Sequence, residues 1–114
     1  MARRLELRVS TEGDALDRFE AAWNRTAGGV AVKLDILSFA NLPLLLKNLS
    51  PARWDLLLSL RDKPAASIYE LAKRLGRDYK NVHTDVTRLA ELGLIEKGEM
   101  LRVPWDVIRA ELRT

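Results

Sequence analysis

Ser67 to Ile95 read SIYELAKRLGRDYKNVHTDVTRLAELGLI, and the order of residue types in this stretch decides the fold. Ser67 suits a helix N-cap, and Glu70, three positions on, completes a capping box. Ile68, Leu71, Ala72 and Leu75 recur at helical spacing. Gly76 ends that helix, because without a Cβ it takes left-handed backbone readily. Asp78 then caps a second helix whose inner stripe is Val82, Val86, Leu89 and Ala90. Gly93 stops it, and Leu94-Ile95 begin an extended segment. The pattern predicts two short helices joined by a tight turn and followed by a strand.

Such an outline is a helix-turn-helix trailed by a wing. Leu94 to Lys97 and Met100 to Val103 read as the two wing strands around Gly98-Glu99, a pair suited to a type II′ turn. Upstream, Ser50 is a good cap and Pro51 suits the first helical position. Trp54, Leu57, Leu58 and Leu60 carry that helix to about Arg61. Pro64 marks the link into the next helix.

Nearer the start, Leu5, Leu7 and Val9 alternate with Glu6 and Arg8, which predicts a half-buried strand. Leu16, Phe19, Ala22 and Trp23 predict an amphipathic helix over 14–25, broken by Thr26 to Gly29. Val30, Val32, Leu34 and Ile36 predict a second strand, with a shift of phase at Leu37. Asn41 suits the cap of a short helix holding Leu44, Leu45 and Leu49. The tail, 104–114, reads two ways. Val107, Ile108 and Leu112 suit a helix face, whereas Ile108, Ala110 and Leu112 suit a strand, which we favour. The fold class expected is therefore α+β: a strand-helix-strand-helix region over 1–49, then a winged helix-turn-helix over 50–114. Two lone strands cannot cover their own edges, so the first region is expected to pair with the tail or with a second copy.

The outer face of the second motif helix carries the functional expectation. At about 100° per residue, Tyr79, Val82, Val86, Leu89 and Ala90 fall on one side. Lys80, Asn81, Thr84, Thr87, Arg88 and Glu91 point the other way, with His83 at the boundary. Cations, an amide and hydroxyls are the groups that read base edges in a major groove and hold phosphates. Lys80, Asn81 and Thr84, near the N-terminal end, would read sequence. Arg77, and Ser67 or Tyr69, would hold phosphates, and Lys97 and Arg102 on the hairpin would touch the flanking backbone or minor groove. Asp85 is discordant on this face, and Arg88 three residues on is its expected partner.

Composition neither helps nor opposes this reading. The 114 residues are 47% apolar and 31% charged, with net charge +3. From Ser67 to Pro104, seven basic residues face six acidic ones, so bulk charge favours no nucleic acid and the placement of the charges must decide. Cysteine is absent, which excludes disulfides and thiolate metal sites and fits a reducing, cytoplasmic compartment. No apolar run approaches the roughly 20 residues of a membrane span. His83 is the single histidine; with no companion set for metal binding or catalysis, it suits a DNA-binding contact to a flanking phosphate or a plain place on the helix surface. Trp23, Trp54 and Trp105 suit core or interface anchors. Gly28-Gly29 is no phosphate loop, since no Gly-Lys-Ser/Thr follows it. Neither an enzyme nor a cofactor is expected.

The stretch SIYELAKRLGRDYKNVHTDVTRLAELGLIEK closely resembles the winged helix-turn-helix of MarR- and ArsR-like prokaryotic regulators. RLGRDYKNVHTDV in particular is similar to a group of small predicted transcriptional regulators, and SPARWDLLLSLRDK and LRVPWDVIRAEL look like the same group. The resemblance covers Ser50 to Leu112 and implies a homodimer on double-stranded DNA, with helix 78–92 in the major groove. Some of that group look like antitoxins, which implies as an alternative a protein-binding module that neutralises a toxin partner and regulates its own operon. The wing is shorter than in many such proteins, and the sensor cysteine pair of the ArsR kind is missing, which argues against metal sensing.

Overall fold

The computed structural model describes residues 3–10, 24–26, 30–33 and 35–113. The expected helix over 14–25 lies outside them except at its end, where Asn24 and Arg25 belong to a strand instead. The described elements are β1 (Arg4–Ser10), β2 (Asn24–Thr26), β3 (Val30–Lys33), β4 (Ile36–Phe39), α1 (Leu42–Asn48), α2 (Pro51–Asp62), α3 (Ile68–Leu75), α4 (Tyr79–Glu91), β5 (Glu96–Lys97), β6 (Leu101–Arg102) and β7 (Val107–Arg113). They make an α+β chain of two units, Met1–Asn48 with Trp105–Thr114, and Leu49–Pro104.

In the first unit the sheet runs β2-β3-β4-β1-β7. One expected strand over 30–36 is in fact two. Lys33 pairs with Ile36, so the chain reverses between them, where Asp35 lies in a turn that suits its side chain. The register then sets Leu37 and Phe39 opposite Val32 and Val30, so both strands give their apolar residues to one face. Leu5, Leu7 and Val9 of β1 lie beside them and are buried. Asn41 caps α1, its Oδ1 accepting from the Leu44 N–H at 2.9 Å.

The tail is a strand. All seven residues of β7 pair in parallel with β1, Arg4 opposite Val107 through Ser10 opposite Arg113. The boundary expected at residue 50, with the tail counted to the second unit, is therefore corrected: Trp105 onward returns to the first. The Arg3 guanidinium lies 4.7 Å from the centre of the buried Trp105 ring, and the Arg3 N–H donates to Asp106 Oδ2 at 2.8 Å. Because β7 covers one side of β1 and β4 the other, the shortage of strands no longer requires a second copy.

Local chemistry organises the second unit. Ser50 Oγ accepts from Arg53 N–H at the start of α2, and Ser67 Oγ from Glu70 N–H at the start of α3. Glu70 Oε2 in turn accepts from Ala66 N–H at 3.1 Å. Asp78 accepts from Lys80 and Asn81 N–H at the start of α4. Each of α3 and α4 ends in a Schellman motif. Arg77 N–H donates to Ala72 O before Gly76 at φ 64°, and Leu94 N–H to Leu89 O before Gly93 at φ 82°. Arg74 stitches α3 to the end of α2, its guanidinium donating to the carbonyls of Lys63 at 2.6 Å and Pro64 at 3.1 Å. Leu56, Leu57, Leu60, Leu71, Val82, Val86, Leu89, Leu92 and Leu94 form the core.

The hairpin differs from expectation. Lys97 pairs with Leu101, leaving three residues, 98–100, in the loop. A type II′ turn needs positive φ at its first central residue, which Gly98 does not have. Ala65, between α2 and α3, adds a third short rung by exchanging two backbone hydrogen bonds with Leu101, at 3.0 and 2.8 Å.

Gly76 offers a clean test of the turn. A Cβ built there meets nothing within 4 Å, so only the left-handed backbone would oppose a side chain. Gly76→Ala is expected to cost about 1 kcal/mol, read as a lowered urea midpoint. Gly98→Ala, equally open but without positive φ, should stay near wild type.

Candidate nucleic-acid interface

The α4 helix owes its two faces to its sequence period. Val82, Val86 and Leu89 are buried at 0% exposure and the helix packs against α3, which leaves the opposite side to solvent. Lys80, Asn81, His83 and Thr84 are exposed, and Arg88 is half-buried. Tyr79, Lys80, His83 and Thr84 line one open depression of about 380 Å³ at the N-terminal end of the helix. The rings of Tyr79 and His83 stand 5.9 Å apart and tilted by 43°. Thr84 Oγ1 donates to Lys80 O at 3.0 Å, which leaves its lone pairs outward as acceptors.

Tyr79 is misplaced by the helical wheel. Its angle put it with the core stripe, yet it is 47% exposed. As the first residue of α4 it lies at the end of the helix, beyond the buried stripe that begins with Val82. That terminal position is the signal that could have revealed it.

Two expected contacts turn inward. Arg77 Nη2 donates to Asp85 Oδ2 at 2.8 Å, and its Nη1 is buried with no hydrogen-bond partner among the described residues. The group expected to hold a phosphate is spent inside the protein. Thr87 Oγ1 is likewise buried and without a partner, so its hydroxyl does not belong to the exposed ridge. Asp85 pairs not with Arg88 but with Arg77 and with Arg53 of α2, whose Nε donates to Oδ1 at 2.9 Å. Arg88 instead has Glu91 at 3.8 Å. Arg53 lies 32 positions from Asp85, so no local pattern could have announced the pair.

The remaining candidates sit apart from this ridge in the sequence. Ser67 Oγ is engaged as a cap acceptor but keeps its own proton to donate. Tyr69 is 64% exposed, with Lys73 Nζ 5.9 Å from its ring centre. Lys97 is exposed on β5. Arg102 lies opposite Glu96 and donates to its Oε1 at 2.8 and 3.0 Å, which offsets its charge. Among the described residues, no group of three or more His, Cys, Asp or Glu could hold a metal ion, and no helix is long and apolar enough to cross a membrane.

Comparison with known proteins gives a match between residues 48–110 and the family model described as HVO_A0114. No curated protein and no solved structure matches.

Proposed function

The chain belongs to the HVO_A0114 family, and we propose that its matched region is a winged helix-turn-helix akin to those of MarR- and ArsR-like regulators, acting as a sequence-specific binder of double-stranded DNA. The observation that carries this reading is the polar N-terminal end of α4, with Lys80, Asn81 and Thr84 exposed on a helix whose other face is locked into the core. Lysine bonds guanine O6 and N7, and asparagine bonds adenine N6 and N7. Asp78 caps the helix at that same end, so its first turn is well ordered for insertion into a major groove. A homodimer would place two such helices on the two halves of a roughly palindromic operator.

The test is a binding titration against the DNA upstream of the protein's own gene, with a scrambled duplex as control. Lys80→Ala and Asn81→Ala are each expected to weaken specific binding about tenfold. Lys80→Ala should also flatten the salt dependence by about one unit if it holds a phosphate. Thr87→Val, whose hydroxyl is buried, should leave affinity unchanged. Unaltered affinity in both ridge variants would defeat the assignment of α4 as the reading helix.

A second reading is an antitoxin-type module that neutralises a protein partner. Leu42 and Leu46, one turn apart on α1 and 41% and 56% exposed, favour it because adjacent exposed leucines suit a protein surface more than a nucleic acid. A stable DNA-free complex with the product of an adjacent gene, lost in Leu46→Glu, would identify it.

A further inference from the structure

We propose that β7 is the dimer seam: two copies of this chain pair their β7 strands antiparallel about a two-fold axis at Ala110. This deepens the homodimer reading above by naming the surface that joins the copies. Among the described residues β7 is the last strand of its sheet, with β1 on one side and no strand on the other. The backbone groups of its seven residues that face away from β1 form a row of donors and acceptors, whereas the opposite edge, β2, is only three residues long. A long edge with no neighbouring strand among the described residues is a template for another strand, and a two-fold axis makes that strand the same one from a second copy.

The order of side chains on β7 selects the partner and the register. Arg109 and Glu111 are exposed and lie on one face of the strand, two residues apart with Ala110 between them. Centring the two-fold on Ala110 sets Arg109 of each copy opposite Glu111 of the other. It also sets positions 107 and 108 opposite 113 and 112, so the whole strand is paired. Moving the centre to Arg109 sets Arg109 against itself, and moving it to Glu111 sets Glu111 against itself. A slip to a centre between residues turns the facing side chains to opposite sides of the sheet. Opposite charges directly across a strand pair attract and like charges repel, so the register centred on Ala110, the one that pairs all seven residues, also sets opposite charges across the seam. In the parallel pairing within the chain, Arg109 stands beside Glu6 and Glu111 beside Arg8. The row of alternating charge therefore continues through the seam from one copy to the next.

The experiment is sedimentation of the full chain without DNA, using two single charge reversals alone and mixed. The wild type should run at twice the chain mass. In a homodimer of Arg109→Glu both crossing pairs are acid on acid, and in a homodimer of Glu111→Arg both are cation on cation. Each is expected to weaken self-association about tenfold or more. Mixed in equal amounts, the two variants restore both crossing pairs, and the dimer should return. A monomeric wild type, variants that dimerise alone as well as the wild type, or a mixture no tighter than its components would overturn the proposal. Circular dichroism checks that each reversal is folded. Should one not be, R109Q and E111Q read the same pairing with a smaller loss, and no loss in both would likewise overturn it. DNA is absent throughout, so failure here leaves the DNA reading standing, and failure of the binding titration leaves the seam standing.

Discussion

Asp85→Ala is expected to destabilise the unit Leu49–Pro104 by about 2–4 kcal/mol, read as a lower urea midpoint at unchanged slope. The side chain is 13% exposed and accepts from Arg53 at 2.9 Å and Arg77 at 2.8 Å, whose side chains are 17% and 28% exposed. Removing the carboxylate leaves two mostly buried guanidinium groups facing each other with no anion. Arg77 already has one buried nitrogen without a partner, so it has little spare solvation with which to absorb the loss. Breaking a buried pair costs more than the pair contributes, because the orphaned charge keeps its desolvation penalty. Arg77→Ala should cost less, since Asp85 would retain Arg53. A loss below about 1 kcal/mol for Asp85→Ala would mean that these contacts behave as solvated surface pairs. The cluster ties α2 to α4, and the turn before α4 to its middle, so the angle at which the exposed ridge is presented depends on it.

Leu89→Ala is the second large effect, with an expected loss of about 3–4 kcal/mol. Leu89 is fully buried on α4, as Leu56, Leu57, Leu60 and Leu71 are on α2 and α3. Truncation removes apolar surface from the core and leaves a cavity that helices pinned by caps and by the Arg74 bonds to Lys63 and Pro64 cannot readily close. Leu58→Ala makes the same chemical change at a site 56% exposed and should cost less than about 1 kcal/mol. Urea unfolding followed by helical circular dichroism compares the two. Equal losses would mean that side-chain burial on these helices does not hold the unit together.

The exposed ridge was legible because its signals are short-range. Caps at Ser50, Ser67 and Asp78, stops at Gly76 and Gly93, and the stripe Val82, Val86, Leu89 all act within a turn or two of helix. Helical angle alone sets Tyr79 with the core stripe, although it lies exposed at the helix end. The cation nearest Asp85 in the sequence is Arg88, yet the cations that reach it come from α2 and from the turn before α4. Angle and position in the sequence set Thr87 and Arg77 outward. The directions of a hydroxyl and a guanidinium follow instead from what lies beneath them.

By itself the sequence determined where helices begin and end in the second half, which of their faces is apolar, and that Lys80, Asn81 and Thr84 stand outside. Those are consequences of hydrogen bonds and periodicity between near neighbours in the chain. Only the tertiary structure decided that the tail is a strand, because residues 107–113 suit a strand or a helix until the open edge of β1, about a hundred positions earlier, supplies parallel partners. It alone decided the reversal at Asp35 and the clasp of Arg53 and Arg77 on Asp85. Pairings between distant segments depend on which surfaces meet after the chain has collapsed, and no local residue pattern encodes that choice.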